Sequence, residues 1–126
     1  MFSREFALQN PKENPYLDWI KAGVKTFEGR TSDKVADLKK GDMIKLYDRN
    51  DIDSQAICEI TELRYYEDFG KAFDELGEKL IPKRNKSEVI SMYNLLYEKD
   101  NKFEDGVTCD HIKKLGVVAI GIKVIK

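Results

Sequence analysis

Apolar residues in this chain follow two different spacings, which together limit the folds that it can adopt. From Gln55 to Tyr65 and from Val117 to Val124, apolar residues recur at every second position, which is typical of a β-strand. Between these two segments the apolar side chains recur at intervals of four, three and four, so they share one stripe of a helix. The members of that stripe are Phe69, Phe73, Leu76 and Leu80. The two spacings predict an α+β fold.

Shorter patterns predict the remaining elements from alternation, helical spacing and breaker residues. They are a strand at 5–9, a helix of about two turns from Tyr16 that Gly23 ends, a strand over 23–30, a polar connection at 31–40, a strand at 43–47, a helix from the N-cap Ser87 to Tyr97, and an exposed loop at 98–110. Strands interrupted by two grouped helices predict a small, mostly antiparallel sheet or barrel with helices packed on one side. The length of 126 residues suits a single domain over residues 1–126.

The octapeptide from Gly23 to Arg30 is the best candidate for a functional site. It sets a lysine, a carboxylate and a guanidinium beside two glycines. If the octapeptide is a strand, Thr26, Glu28 and Arg30 project from one face, because successive side chains alternate between faces. Lys25 then projects from the opposite face. Three polar groups would share one surface of the sheet.

Each charged residue of the octapeptide has more than one possible role. Lys25 can grip a phosphate or a carbonyl oxygen as a cation, or act as a nucleophile or base if desolvation removes its proton. Glu28 can accept hydrogen bonds from a base edge, hold Arg30, or act as a general base. Gly29 permits a bulge or the close approach of a backbone or a ligand. Without a ligand, the same residues form a Glu28–Arg30 ion pair beside a solvated lysine.

An ordered series of motifs resembles the ASCH domain. The series is Gly23-x-Lys25-x-x-Glu28-x-Arg30, Gly41-Asp42 before a strand, Tyr66-x-x-Phe69, Ile81-Pro82, Tyr93 with Tyr97, and the closing Gly116-Val117-Val118-Ala119-Ile120. This resemblance covers roughly residues 15 to 125, and it implies a PUA-like β-barrel fold. It also implies RNA-related work, since PUA-like barrels commonly bind RNA.

The resemblance has an enzymatic side as well, because several relatives are hydrolases. The small acetylcytidine amidohydrolases of this superfamily use a lysine, a threonine and a glutamate, and their lysine lies in a segment that Gly23, Lys25 and Thr26 match. Their threonine lies three residues after that lysine, where this chain has Glu28. For an enzyme, the resemblance implies Lys25, Thr26 and Glu28 as the catalytic candidates.

Residues outside the octapeptide supply further binding candidates. Tyr66, at the end of a predicted strand, is expected near the cleft, where its ring can stack on a base. Lys83 and Arg84 lie in a basic connection that can follow a phosphate backbone. Tyr93 and Tyr97 are four residues apart on a helix, and we expect them to pack in the core with their hydroxyl groups at the surface.

Composition excludes several other classes of function. The formal net charge of −1 excludes nonspecific, whole-molecule attraction to nucleic acid, so RNA binding would need a local patch. His111 is the single histidine, and no ligand spacing surrounds it, so we expect no metal. No glycine-rich phosphate loop is present, and we expect no cofactor. Without an apolar run of about 18 residues or a signal peptide, a cytoplasmic protein without membrane contact is expected.

Two functions remain from the sequence. The first is an RNA- or nucleobase-binding module whose cleft contains Lys25, Glu28 and Arg30, with Tyr66, Lys83 and Arg84 as further contacts. The second is a small hydrolase that acts on a modified nucleoside or on RNA, with Lys25 activating a nucleophile or stabilising an oxyanion. The partner in either case is RNA or a small molecule like a nucleoside.

Overall fold

The computed structural model describes residues 3–97 and 107–126, and these residues form five strands and four α-helices. The elements are β1 (Arg4–Leu8), α1 (Tyr16–Lys21), β2 (Phe27–Thr31), β3 (Met43–Asp48), β4 (Asp51–Tyr66), α2 (Phe69–Leu76), α3 (Lys86–Tyr97), α4 (Asp110–Leu115) and β5 (Val117–Val124). Two short 3₁₀ helices, Ser32–Val35 and Gly77–Lys79, follow β2 and α2. The α+β fold class is confirmed.

The strands form one sheet in the order β1-β3-β4-β5-β2, in which β1 and β2 are the edges. The pairs β3–β4, β4–β5 and β2–β5 are antiparallel, and β1 pairs with β3 in parallel. The sheet curls so far that a side chain of one edge strand reaches the other: Arg30 Nη2 lies 3.3 Å from Ala7 O. The result is a half-barrel with a seam between β1 and β2.

Two hydrophobic clusters lie on opposite faces of the sheet, and β5 contributes to both. Val118, Ile120 and Ile122 join the cluster that also contains Leu17 and Ile20 of α1. The intervening β5 residues Val117 and Ala119 face the second cluster, which α2, α3 and α4 cover. A strand with both faces buried explains why its run of apolar residues is almost continuous. The two grouped helices α2 and α3 lie on one side as predicted and are joined there by α4, while α1 packs on the other side.

Helix ends agree with the sequence patterns at some positions and correct them at others. Gly23 has φ of +78° directly after α1, the left-handed conformation predicted for it. Ser87 is not the N-cap of α3, because the Asn85 side chain accepts from Glu88 N while Glu88 Oε1 accepts from Asn85 N. This reciprocal pair caps the helix two residues earlier.

Two predicted connections contain more structure than expected. The polar connection at 31–40 includes a 3₁₀ helix, and Val35 and Leu38 in it are buried. Most of the loop predicted at 98–110 lies outside the described residues, but its last residue begins α4, which the sequence patterns did not predict. A helix of six residues shows too few turns for a periodic signal.

Candidate functional site

A pocket of about 200 Å³ opens at the seam between the edge strands β1 and β2. One side of its lining comes from β1 and β2, and the other from α1, α3 and the connections around them. The lining residues are Ala7, Leu8, Gln9, Tyr16, Glu28, Gly29, Arg30, Lys34, Arg49, Ile81, Met92, Tyr93, Leu96 and Tyr97. The pocket therefore combines aromatic and apolar walls with a few charged groups, as small-molecule sites do.

Glu28 is the one carboxylate among the lining residues that the structure describes, and it lies between two cations. Its Oε2 is 2.9 Å from Arg30 Nη2 and accepts from Arg30 Nε at 3.1 Å. Its Oε1 lies 3.4 Å from Lys25 Nζ. The guanidinium of Arg30 also lies over the ring of Phe6, 4.8 Å from its centroid, so it links both edges of the sheet. These contacts fix the carboxylate at the pocket wall.

Lys25 stands behind Glu28 with no exposed side-chain surface. Its ammonium donates to Phe27 O at 2.6 Å and to Leu80 O. Burial lowers the pKa of Lys25, and the carboxylate of Glu28 partly opposes that shift. Lys25 thus joins β2 to the end of the 3₁₀ helix that follows α2, and it supports Glu28 from the protein side.

The position of Lys25 corrects the predicted alternation. The sequence pattern extended the strand over the whole octapeptide, but β2 begins only at Phe27. Lys25 precedes the strand, so strand geometry does not direct its side chain away from Glu28. Within β2 the alternation holds, because Phe27 packs in the second cluster while Glu28 and Arg30 pair.

Gly29 explains how the aromatic residues of α2 and α3 reach the strand. A Cβ atom at this position would lie 2.5 Å from Tyr93 Oη and 2.8 Å from Phe69 Cε1, closer than side chains tolerate. The rings of Phe69 and Tyr93 stack at 3.5 Å between centroids. Close approach at Gly29 was expected from the sequence, and aromatic side chains are what approach it.

Three tyrosines line the pocket, and the hydroxyl groups of two of them have no hydrogen-bond partner among the described residues. The paired one is Tyr97 Oη, which accepts from Thr31 N at 3.3 Å. Tyr16 and Tyr93 are the unpaired ones. Burial, with the nearby charge of Glu28, raises the pKa of Tyr16 to about 12 and that of Tyr93 well above its ordinary value. Both phenols therefore remain hydrogen-bond donors at neutral pH.

The backbone of β2 adds polar groups to the same surface. Because Ile122 N donates to Thr26 O, the alternation of an antiparallel pair turns the backbone of Glu28 and Arg30 toward β5. The N–H and C=O of Gly29 then face the open edge. Phe27 O and Thr31 N, on the same edge, are bound by Lys25 and Tyr97. Gly29 thus presents one donor and one acceptor to the pocket.

The other predicted site residues lie elsewhere among the described residues. Thr26 does not line the pocket, and its N–H donates to Lys79 O. Tyr66 ends β4 and packs against the second cluster. Lys83 is exposed, while Arg84 donates to Glu13 O at 2.7 Å and to Asn14 Oδ1 at 3.1 Å. The structure therefore brings Glu28 and Arg30 to the pocket and Lys25 behind it, and leaves these four outside.

The pocket also contains Tyr16 and the cations Lys34 and Arg49, which were not predicted from the sequence. These three are far apart in the chain and carry no common motif. Tyr93 and Tyr97 had a signal, since a spacing of four residues puts both on one helix face. Core packing of Tyr93 was predicted and is confirmed, and its hydroxyl lies against Gly29, which also lines the pocket.

Within residues 3–97 and 107–126, no group of three or more metal-ligating side chains converges as a metal site requires. The same part of the chain has no helix of the length and apolar character that crossing a membrane requires.

Comparison with known proteins places the chain in a family. The family model of the ASCH domain matches residues 13–126. The crystal structure of hypothetical protein PH0355 is similar over 97% of this chain and 98% of that chain, with 28% identity and a TM-score of 0.73. The solution structure of protein PF0455 from Pyrococcus furiosus is similar over 100% of this chain and 99% of that chain, with 26% identity and a TM-score of 0.69.

A more distant likeness concerns the fold alone. Protein EF3133 from Enterococcus faecalis V583 shares 14% identity, with coverage of 99% of this chain and 80% of that chain and a TM-score of 0.60. No curated protein shows a significant match to the sequence.

Proposed function

The chain belongs to the ASCH domain family, and from this premise we propose that it binds RNA by taking one base into the pocket between β1 and β2. The observation that carries the proposal is the convergence of unpaired polar groups in a pocket with aromatic walls. Bases are flat, apolar on their faces and rich in donors and acceptors at their edges, so such a pocket matches both features.

The size of the pocket supports a base rather than a larger ligand. Its volume of about 200 Å³ is below the roughly 300 to 1,000 Å³ of pockets that hold drug-sized molecules. A single ring system fits such a volume, while the sugar and phosphate would remain outside. An unstacked base of a single strand meets that requirement, because it can leave its neighbours and enter a cavity.

The polar groups of the pocket suit the edge of a base. Glu28 accepts hydrogen bonds from amino or imino N–H groups, and the hydroxyl groups of Tyr16 and Tyr93 donate to ring nitrogens or carbonyl oxygens. The backbone of Gly29 adds one donor and one acceptor. Lys25 and Arg30 hold the carboxylate in place, so little order is lost when the base binds.

Hydrolysis of a modified nucleoside, as in the acetylcytidine amidohydrolases, is the alternative that this geometry favours less. That chemistry needs Lys25 or Thr26 at the ligand, and neither is among the residues that line the pocket. The ammonium of Lys25 is already engaged by two carbonyl oxygens and by Glu28. We therefore propose base binding, rather than hydrolysis, as the function of this pocket.

The experiment titrates the purified protein with the common ribonucleosides and short single-stranded RNAs by calorimetry. Tyr16→Phe removes one unpaired hydroxyl and should weaken binding of the preferred base by about two- to tenfold, the value of one neutral hydrogen bond. Glu28→Gln should cost about ten- to a hundredfold, because it removes a charged acceptor. Tyr65→Phe removes an exposed hydroxyl outside the pocket and is the matched control.

Two results would contradict the proposal. Equal binding by the wild type and both pocket variants would show that the ligand does not bind in this pocket. Incubation with N4-acetylcytidine and with RNA, followed by mass spectrometry, tests the alternative directly. Products that form with the wild type would establish the hydrolase instead.

A further inference from the structure

The mouth of the pocket carries two cations that belong to different elements. Lys34 lies in the 3₁₀ helix that follows β2, and Arg49 lies in the turn between β3 and β4. The backbone of each is anchored: Arg4 Nη1 donates to Lys34 O at 2.7 Å, and Arg49 N donates to Leu8 O at 3.0 Å. The two side chains thus extend from fixed positions.

Both side chains are free to bind an anion. Arg49 is exposed, and its guanidinium has no hydrogen bond or ion pair with any described residue. The side chain of Lys34 is 54% exposed, and its ammonium comes no closer than 4.0 Å to the neighbouring Asp33. Such an exposed contact contributes little. Arg30, by contrast, is already committed to Glu28 and Ala7.

The charge of the pocket also favours an anion at its mouth. Arg30 at the pocket wall and Lys25 behind it together outweigh the single negative charge of Glu28. Among the lining residues within 3–97 and 107–126, Glu28 is the sole carboxylate beside the cations Arg30, Lys34 and Arg49. Cations therefore outnumber the carboxylate among the described lining residues, although the protein as a whole has a formal net charge of −1.

The two cations are attached to opposite ends of β1. Lys34 is held by the side chain of Arg4, the first residue of the strand, and Arg49 by the main-chain carbonyl of Leu8, the last. Four residue steps of about 3.3 Å separate those ends by about 13 Å. Cations that start from two different elements, near opposite ends of β1, are placed to meet two phosphates, one on each side of a nucleotide in the pocket.

We infer that the pocket takes an internal nucleotide of a single strand, whose two flanking phosphates are bound by Lys34 and Arg49. This inference rests on the proposed function, in which the base enters the pocket. It adds the ligand class: a nucleotide with phosphate on both sides, rather than a free nucleoside. Arg49 can bind its phosphate through two N–H groups, while Lys34 acts as a mobile point charge.

The experiment measures by calorimetry how much each phosphate group increases the affinity of a ligand, which we call its phosphate increment. Its probes are each common ribonucleoside, the 5′-monophosphate, the 3′-monophosphate and the 3′,5′-bisphosphate. For the preferred base, the bisphosphate should bind roughly tenfold more tightly than the nucleoside, which corresponds to two exposed ionic contacts. Lys34→Gln should remove the increment of one phosphate and Arg49→Gln that of the other. With both substitutions, the bisphosphate should bind like the nucleoside.

A matched control removes the same charge elsewhere. Lys123→Gln/Lys126→Gln changes two exposed lysines that do not line the pocket, and it should leave both increments in place. Raising the salt concentration should reduce the increments in the wild type and have little effect on the nucleoside. All variants should keep the wild-type melting temperature, because neither Lys34 nor Arg49 holds another element through its side chain.

Each other outcome has a distinct meaning. If nucleosides bind but phosphates add nothing, or if the increments survive in Lys34→Gln/Arg49→Gln, this inference is wrong while the proposed function stands. If no base-containing probe binds, both fail. A trinucleotide with the preferred base in its centre should bind at least as tightly as the bisphosphate. Weaker binding of the trinucleotide would show that the pocket prefers a free nucleotide. It would contradict the inference that the ligand is a nucleotide within a single-stranded nucleic acid.

Discussion

Lys25 and Arg84 both donate hydrogen bonds to main-chain carbonyl oxygens, yet they lie in opposite environments. Lys25 has no exposed side-chain surface and touches a carboxylate that lines the pocket. Arg84 is half-buried at the surface and ties the connection after α2 to the segment before α1. The comparison of the two regions indicates that burial, rather than residue type, decides how much a cation contributes to the free energy of unfolding.

The physical reason is the response of the solvent. When a contact of Arg84 is lost, water replaces it at little cost. A contact of Lys25 cannot be replaced in that way, because water does not reach the ammonium, its carbonyl partners or most of Glu28. We therefore expect substitutions in the two regions to differ in size.

The largest effect should come from Lys25→Met. The change leaves Phe27 O and Leu80 O without their buried donor and removes one of the two cations beside Glu28. We expect the free energy of unfolding in urea to fall by about 3 to 5 kcal/mol. Lys83 is an exposed cation beside Arg84. Lys83→Met should change the free energy of unfolding by about 0.5 kcal/mol or less. Similar values for both variants would remove the distinction between the regions.

Gly29→Ala tests the buried region without changing any charge. A methyl group there would overlap Tyr93 Oη and Phe69, so we expect a loss of about 1 to 3 kcal/mol in urea unfolding. Adding Tyr93→Phe removes the nearest atom and should restore part of that loss. A stable Gly29→Ala protein would mean that the aromatic pair is not held against β2.

Alkaline pH should separate a buried tyrosine from an exposed one. Burial raises the pKa of Tyr93 above that of the unfolded chain, so from about pH 10 the unfolded state loses its proton first and stability falls as pH rises. One such group steepens the decline by up to about 1.4 kcal/mol per pH unit. Unfolding of Tyr93→Phe between pH 9 and 11.5 should show a shallower decline, while Tyr65→Phe should follow the wild type.

A small effect, above only that of the control Lys83→Met, should come from Arg84→Gln. The substitution removes surface contacts with Glu13 O and Asn14 Oδ1. We therefore expect the free energy of unfolding in urea to fall by about 1 kcal/mol. RNA binding should be unchanged if these contacts are the role of Arg84. A marked loss of RNA affinity without a loss of stability would instead restore Arg84 as a phosphate contact, as the sequence analysis proposed.

Local patterns in the sequence predicted most of the elements. The stripe at Phe69, Phe73 and Leu76, the alternation at 117–124 and the stop at Gly23 all reflect the geometry of single helices, strands and turns, so neighbouring residues suffice to reveal them. The predicted stripe was wrong only at Leu80, which lies beyond α2 after the 3₁₀ helix. The failures have the same origin. The N-cap of α3 depended on a reciprocal pair at Asn85 and Glu88, and α4 is too short for its period to show.

For the site, the sequence by itself determined the charged group at 25–30 and, through the ordered motifs, the ASCH domain family. Only the tertiary structure decided that Lys25 is buried behind Glu28, and that Tyr16, Lys34 and Arg49 join the same pocket. The reason is that these contacts follow from the curl of the sheet, which brings its edge strands together. Such a closure depends on all five strands at once, and no local pattern of residues records it.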